Sequence, residues 1–140
     1  MSISLPELIT WTKKINLLYV EDNQDARNFT LEMLARFFDN ISVAENGVEG
    51  LKKFRENKID LILTDINMPN MSGIEMVCEI KKSDANVIVL LLSAHNEQCY
   101  FDEASRCDIP YYLPKPLSLN ELIKILNALL SSKALFMEKE

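Results

Sequence analysis

Five side chains that could act together on a phosphoryl group each follow a short apolar run of this sequence. They are the carboxylates of Glu21, Asp22 and Asp65, the hydroxyl of Ser93 and the ammonium of Lys115. Because a carboxylate can act as a nucleophile, Asp65 could attack phosphorus and form an aspartyl phosphate. Phosphoryl transfer depends mostly on positioning and on neutralising the charge of the phosphoryl oxygens. A metal ion, an ammonium and a hydroxyl can do this, so these residue types predict a phosphoryl acceptor.

The three carboxylates also predict a metal site. Negative charges crowded into one pocket repel one another, and this costs free energy unless a cation joins them. Oxygen-only ligands suit Mg²⁺, which keeps several waters and takes one or two carboxylates. We therefore expect Mg²⁺, with Mn²⁺ as the alternative ion, beside Glu21, Asp22 and Asp65.

Five apolar runs, four of which end at these side chains, predict the strands of a parallel sheet. The runs fall at 15–20, 41–44, 60–65, 86–92 and 111–113. Helical spacing of apolar residues predicts a helix after each run, beginning at caps such as Asn23 and Ser118 and including a weak fourth helix at 95–107. Five alternations of strand and helix indicate an α/β fold with helices on both faces of the sheet. Ligands bind at the carboxyl ends of such strands, so the five chemical groups should meet at one edge.

The chain divides into three predicted parts. Residues 15–131 form one domain, which is long enough to bury a core. The leader at 1–14 could form a short helix capped by Ser4 that packs across the domain, or it could be disordered. Residues 132–140 are a tail or the start of a linker to a longer protein.

Composition excludes several classes of protein. The 140 residues are 48% hydrophobic and 26% charged, which is typical of a soluble globular chain. A formal net charge of −6 disfavours direct binding to nucleic acid. No run of about 18 apolar residues predicts a membrane span, and no secretory signal is visible, so we expect a cytoplasmic protein. The three cysteines lack metal-ligand spacing, and we expect them to be reduced packing residues.

The combination of motifs resembles the receiver domain of two-component response regulators, over about residues 15–130. The resemblance rests on Glu21-Asp22, Asp65 with Met68-Pro69 and Gly73 after it, Ser93-Ala94, and Lys115-Pro116. It implies a flavodoxin-like, doubly wound sheet of five parallel strands in the order 2-1-3-4-5. It also implies that Asp65 is the phosphoacceptor, that Asp22 binds Mg²⁺ directly and that Glu21 holds the metal, often through water.

Further roles follow from the same resemblance. The backbone carbonyl of Asn67 would complete the metal site, and Lys115 would pair with the phosphoryl group. Pro116 would follow a cis peptide bond that aims this lysine. Ser93 and Tyr112 match the switch pair of the family, in which the hydroxyl moves to the phosphate and the aromatic ring swings inward behind it.

The resemblance implies partners as well. A sensor histidine kinase or a histidine phosphotransfer protein would donate the phosphoryl group. A downstream effector, or an output domain outside this chain, would read the change, and a homodimer formed on phosphorylation is a further candidate. Such a domain is not an enzyme beyond catalysing its own Mg²⁺-dependent phosphorylation and dephosphorylation.

Three alternative functions fit the residues less well. A haloacid-dehalogenase-like phosphatase needs a second acid two positions after its nucleophile, where this chain has Asn67. A flavodoxin-like mononucleotide binder needs a loop rich in glycine and hydroxyl residues after the first strand, whereas Glu21-Asp22-Asn23 would repel phosphate. A degenerate receiver, kept only for protein interaction, would lack part of the site, and no part is missing.

The two ends of the predicted fourth helix carry Asp108 and His95. Asp108 stands where the family often has glycine, and aspartate tolerates the left-handed conformation expected there better than most residues. His95 could relay a phosphoryl group, but a lone polar residue at the start of a helix more often faces solvent.

Overall fold

Strands and helices alternate along the computed structural model, which describes residues 3–94 and 97–132. The strands are β1 (Asn16–Val20), β2 (Asn40–Ala44), β3 (Leu61–Asp65), β4 (Ile88–Ser93) and β5 (Tyr111–Pro114). The helices are α1 (Leu5–Thr12), α2 (Gln24–Leu34), α3 (Gly47–Glu56), α4 (Gly73–Lys81), α5 (Phe101–Arg106) and α6 (Leu119–Ser131). A 3₁₀ turn, Gln98–Tyr100, leads into α5. In these described ranges, none of the helices has the length and apolarity needed to cross a membrane.

All five strands are parallel and lie in the order β2-β1-β3-β4-β5, which confirms the predicted sheet. In the register of the sheet, Asp65 lies beside Leu92 and Ser93 lies beside Pro114. The chain order reverses between β1 and β3, so a crevice opens at the carboxyl ends of these two strands.

Alternate residues of the strands face two separate hydrophobic cores. In β1, Leu17 and Tyr19 pack with α1, α2 and α6, whereas Leu18 and Val20 pack on the other face with residues of α4 and α5. Every residue of β3 is buried, as expected for a central parallel strand covered on both faces.

Side-chain caps begin five of the six helices. In each of these helices the capping side chain accepts a hydrogen bond from a backbone N–H three residues further on. The caps are Ser4, Asn23, Asn46, Ser72 and Ser118. Each such cap contributes about 1 kcal/mol. α5 is the exception, because no side chain caps it.

The leader helix α1 is docked on the domain. Leu8 is fully buried in the core that contains α6. The hydroxyl of Thr12 donates a hydrogen bond of 2.6 Å to the carbonyl of Phe37. These contacts agree with the first alternative for the leader, a short helix packed across the domain.

Two helices are shorter than the apolar spacing predicts. α2 ends at Leu34 rather than near Phe38, because the N–H groups of Phe37 and Phe38 both bond to the Leu34 carbonyl and turn the chain. This turn carries both rings into the core. The described part of the weak fourth helix consists of the 3₁₀ turn and the six residues of α5. His95 and all but the first residue of the predicted tail lie outside the described residues.

The prediction that all three cysteines are reduced is wrong for two of them. Cys78 of α4 and Cys107, directly after α5, form a disulfide, with their Cα atoms 5.5 Å apart. Sequence spacing gave no sign of this pair, because the two cysteines are 29 positions apart and meet only when α4 packs against the end of α5. Cys99 is free and exposed.

The end of α5 adopts the left-handed turn that was expected at Asp108. The φ angle of Asp108 is 57°. Its N–H bonds to the Ser105 carbonyl and the N–H of Ile109 bonds to the Ala104 carbonyl, the two bonds of a Schellman motif. Lys81 of α4 donates to the Asp108 carbonyl at 2.7 Å and holds this turn against the neighbouring helix.

Candidate functional site

Asp65 is held at the end of β3 by a close backbone contact with the start of α4. The N–H of Gly73 donates to the Ile66 carbonyl at 2.8 Å, which folds the intervening loop back on the strand. A Cβ atom at Gly73 would overlap the carbonyl oxygen of Asp65. Glycine is therefore needed here for close approach, since its φ is not positive.

The predicted acids converge at this end of the sheet. Oxygen atoms of Glu21, Asp22 and Asp65 lie within 4.8 Å of one another. Glu21 is 1% exposed and Asp65 is 4% exposed, whereas Asp22 faces solvent. The N–H of Asn23 donates to the Glu21 carboxylate at 3.1 Å and orients it.

Lys115 supplies a cation to these acids. Its Nζ lies 2.5 Å from Oδ1 of Asp65 and 3.6 Å from Oε1 of Glu21. The backbone N–H of Lys115 bonds to the Ser93 carbonyl, which fixes the lysine to the end of β4. The peptide bond between Lys115 and Pro116 is cis.

Burial raises the pKa values of the two buried acids, and a bound cation would lower them again. Burial, and secondly the charge of Asp65, raise the pKa of Glu21 to about 7. Burial also raises the pKa of Asp65, although the hydrogen bond and charge of Lys115 oppose this. For Lys115, burial lowers the pKa, but the hydrogen bond and charges of the acids outweigh it and the net shift is upward. The single positive charge of Lys115 does not neutralise the charges of three carboxylates. The site therefore has room for a further cation, and its oxygen ligands suit Mg²⁺.

Ser93 and Tyr112 line one cavity of about 380 Å³ beside the acids. The Ser93 hydroxyl donates to the adjacent Ala94 carbonyl at 3.2 Å. Tyr112 is half-buried, and its hydroxyl donates a long hydrogen bond of 3.4 Å to the Phe101 carbonyl. The rings of Phe101 and Tyr112 lie 4.0 Å apart between centroids. This cavity gives both side chains room to change position.

Glu97 is a site residue that the sequence analysis missed. It is 6% exposed, and its carboxylate accepts hydrogen bonds of 2.6 Å from the Ala94 N–H and from the Asn67 side-chain amide. Asn67 itself is exposed, and its predicted role as a metal ligand through its carbonyl stays a prediction. The only sequence signal was an acid four positions after Ser93, in a polar stretch where acids are common.

A second cavity, of about 450 Å³, opens on the other side of the site between α2 and the loop after β5. Glu21 and Lys115 of the site contribute to its wall, and most of the remaining wall is apolar. Phe29 lies in this wall and is 56% exposed. The exposed ring of Phe29 therefore extends the apolar wall of this cavity to the surface.

Comparison with known proteins assigns the chain and its fold to one family. Residues 17–127 match the sequence model of the response regulator receiver domain. The chain is 33% identical over 108 residues to a response regulator receiver protein of Anaeromyxobacter sp. (strain Fw109-5), covering 77% of the chain and 45% of that protein. It spans only 8% and 4% of two similar hybrid signal transduction histidine kinases of Dictyostelium discoideum. The chain therefore spans less than half the length of these curated relatives.

Solved structures agree with this match. The N-terminal domain of an uncharacterized protein from Wolinella succinogenes is 33% identical, with a TM-score of 0.78, covering 90% of this chain and 99% of that one. A chain in the co-crystal structure of the Saccharomyces cerevisiae phosphotransfer protein Ypd1 with the receiver domain of Ssk1 is 27% identical, with a TM-score of 0.71. That match covers 83% of this chain and 90% of the other. The predicted family and flavodoxin-like fold are confirmed.

Proposed function

Because the chain belongs to the response regulator receiver domain family of two-component systems, we propose that it is a switch controlled by phosphorylation of Asp65. The family is a signalling domain, and phosphorylation and magnesium binding are general properties of it. The main support for the role of Asp65 is its geometry. It is the buried carboxylate at a strand end, 2.5 Å from the Lys115 ammonium and within 4.8 Å of oxygens from Glu21 and Asp22.

The transfer step uses groups that this arrangement already orients. An oxygen of Asp65 attacks phosphorus, an O–P bond forms, and the P–N bond to the donor imidazole breaks with its electron pair going to nitrogen. Lys115 and the Ile66 N–H both donate to Oδ1, which fixes the plane of the carboxylate before attack. Fixed geometry of this kind lowers the barrier because no reorganisation is needed during transfer.

Glu21, Asp22 and Asp65 would hold Mg²⁺, or Mn²⁺ in its place, with the Asn67 carbonyl as a further ligand. When bound, the ion supplies positive charge that offsets the charge on the phosphoryl oxygens. The upward shift of the Glu21 pKa supports a cation here, because a neighbouring positive charge returns the carboxylate to its ionised form.

The response would begin at Ser93 and Tyr112. Ser93 ends β4, one strand away from Asp65, and its hydroxyl can reorient because its present bond is to the neighbouring Ala94 carbonyl. Movement of Ser93 would empty part of the cavity that it shares with Tyr112. The tyrosine ring could then turn inward, which would change the surface formed by β5 and α5. Phosphorylation would act by shifting the populations of the two arrangements.

The phosphoryl donor would be a sensor histidine kinase or a histidine phosphotransfer protein that docks over the apolar cavity. This cavity shares Glu21 and Lys115 with the site, so a protein seated on it would bring a phosphohistidine close to Asp65. The likeness to a receiver domain crystallised with a phosphotransfer protein supports this class of donor.

Phe29→Ala should slow transfer from a protein donor about tenfold, as for an aromatic hot spot, and leave labelling by acetyl phosphate unchanged. Leu5→Ala, which removes an exposed side chain of α1, is the control.

The output would be a change in binding to an effector protein, to an output domain outside this chain or to a second copy of the chain. Catalysis would be limited to the domain's own phosphorylation and dephosphorylation. A cytoplasmic location follows from the proposed donors and stays a prediction.

Chemical mapping tests the acceptor directly. The protein is labelled with acetyl phosphate and Mg²⁺, the acyl phosphate is reduced with borohydride, and the modified residue is located by peptide mass mapping. We expect the modification at Asp65 alone. Modification of another residue in the wild-type protein would refute the assignment.

A further inference from the structure

We propose that Glu97 holds the backbone at Ala94, directly after β4, in its unphosphorylated arrangement, and that a phosphoryl group on Asp65 displaces Glu97 from the backbone amide of Ala94. This inference rests on the proposed function and adds a positioning residue to it. In the unphosphorylated protein, the Glu97 carboxylate accepts a hydrogen bond from the Ala94 N–H, the donor that the phosphoryl group would need.

The contacts of Glu97 join the two loops that flank Asp65. One carboxylate oxygen accepts from the Ala94 N–H and the other from the Asn67 amide, each at 2.6 Å. Ala94 belongs to the loop after β4 and Asn67 to the loop after β3. Two short hydrogen bonds to one buried carboxylate join the two loops, so this bridge fixes one loop against the other.

The Ala94 N–H follows β4 at the edge of the sheet where Asp65 lies. Leu92, two residues before Ala94, lies beside Asp65 in the sheet. A phosphoryl oxygen on Asp65 would take this N–H as its donor. The negative charge of Glu97 also acts on both Asp65 and Lys115. A phosphoryl group adds a charge of about −1.5 to −2, and like charges at close range in a buried site repel strongly. Glu97 in its present position and a phosphoryl group on Asp65 therefore oppose each other.

Displacement of Glu97 would move the backbone that leads to Phe101 and so alter the contact of Phe101 with Tyr112. The N–H of Glu97 bonds to the Ala94 carbonyl, and the Tyr100 N–H bonds to the Glu97 carbonyl, both at 3.0 Å. The 3₁₀ turn that these bonds stabilise leads directly into Phe101, whose ring contacts Tyr112. Glu97 therefore connects the end of β4 to the ring that the switch is proposed to move.

Beryllofluoride, a mimic of the phosphoryl group, provides the test when added with Mg²⁺. We expect Glu97→Gln to bind it about tenfold more tightly than wild type, an ordinary size for coupling between two sites. Glu103→Gln removes an exposed acid of α5 and should change the affinity less than twofold. Bound beryllofluoride is measured by fluorine NMR, with Asp65→Asn as the variant that should not bind.

A second set of measurements separates a positioning role from simple stabilisation. In nitrogen-15 NMR spectra of the metal-free protein, Glu97→Gln should shift the Ala94 amide and the Asn67 side-chain amide, and Glu103→Gln should shift neither. Glu97→Gln should also lower the melting temperature of the free protein while tightening beryllofluoride binding. A residue that only stabilised the fold would lower both stability and affinity.

The outcomes distinguish this inference from the function on which it rests. If folded wild-type protein binds no beryllofluoride, the proposed function fails, and the inference fails with it. If wild type binds and Glu97→Gln binds equally or more weakly, the inference alone is refuted. Asn67→Ala breaks the same bridge from its other end and should also tighten binding, which keeps the test valid if a Glu97 variant is unstable.

Discussion

The two sides of the site differ in how firmly they are packed. On the β3 side, every strand residue is buried and α4 begins with a complete capping box, in which Ser72 and Glu75 bond to each other's backbone. On the β4–β5 side, α5 has only six residues and no side-chain cap, and Tyr112 is half-buried beside a cavity. The firm side holds Asp65, the carboxylate proposed to react, whereas the loose side holds Ser93 and Tyr112, the side chains proposed to move. Precise positioning and easy rearrangement are thus assigned to different strands of one sheet.

Gly73→Ala should have the largest effect because it disturbs the firm side. The added Cβ would overlap the backbone of Asp65, which no side-chain rotation relieves. We expect a loss of about 1–3 kcal/mol in the free energy of unfolding and a strong loss of phosphorylation. Urea unfolding and labelling with acetyl phosphate measure the two quantities.

Gly50→Ala is the matched control for Gly73→Ala. The new Cβ would meet mainly the flexible thioether of Met76, and alanine favours a helix interior over glycine. The change in stability should therefore be smaller and phosphorylation should persist. Equal damage by both substitutions would show that Gly73 has no special relation to Asp65.

Lys115→Ala should separate the two sides from each other. The variant should still accept a phosphoryl group, because Asp65 and the metal-binding acids remain, but the response at Tyr112 and binding to a partner should be lost. Lys124→Ala removes an exposed lysine of α6 and should behave as wild type. Fluorescence or NMR signals from Tyr112 report the response, and a normal response in Lys115→Ala would contradict the role proposed for this lysine.

The free energy of unfolding of the metal-free protein should fall as pH rises, because the pKa of the buried Glu21 is raised in the folded state. The folded-state pKa of Glu21 is about 7, above the ordinary value of 4.5, so the folded protein binds more protons than the unfolded chain between these values. The free energy of unfolding should therefore decrease from about pH 4.5 to about pH 7. The shift of Asp65 has the same direction. Glu21→Gln or added Mg²⁺ should flatten this curve, which urea unfolding at a series of pH values measures, and a flat wild-type curve without metal would refute the electrostatic account.

Tyr112→Phe should have the smallest effect, on the loose side. The hydrogen bond from its hydroxyl to the Phe101 carbonyl is long, at 3.4 Å, so the loss of this bond should cost about 0.5 kcal/mol, the low end for a net hydrogen bond. The ring stacking with Phe101 remains. A loss above 2 kcal/mol in urea unfolding would show that this side is packed as firmly as the other.

The sequence predicted features that depend on local pattern. The sheet order came from family resemblance, while Ser4, Asn23 and Ser118 identified helix starts because a cap acts within a single turn. The proximity of Asp65 and Lys115 was predictable because the carboxyl ends of parallel strands share one edge of the sheet.

Features that depend on tertiary contact were missed. Glu97 lies in an ordinary polar stretch, and only the folded loops bring it to the Asn67 amide. The disulfide between Cys78 and Cys107 requires two helices to meet, and the early end of α2 depends on the burial of two phenylalanine rings. These contacts have no periodicity in sequence for a pattern to detect.

Intact-mass measurement after incubation with acetyl phosphate tests the central claim most directly. Wild-type protein and Asp65→Asn are each incubated with Mg²⁺ and with a chelator, and beryllofluoride binding is recorded on the same samples to detect an adduct that hydrolyses quickly. We predict the added mass of one phosphoryl group in wild type with Mg²⁺ only. An adduct of equal yield in Asp65→Asn, or a folded wild-type protein with neither adduct nor bound beryllofluoride, would contradict the account.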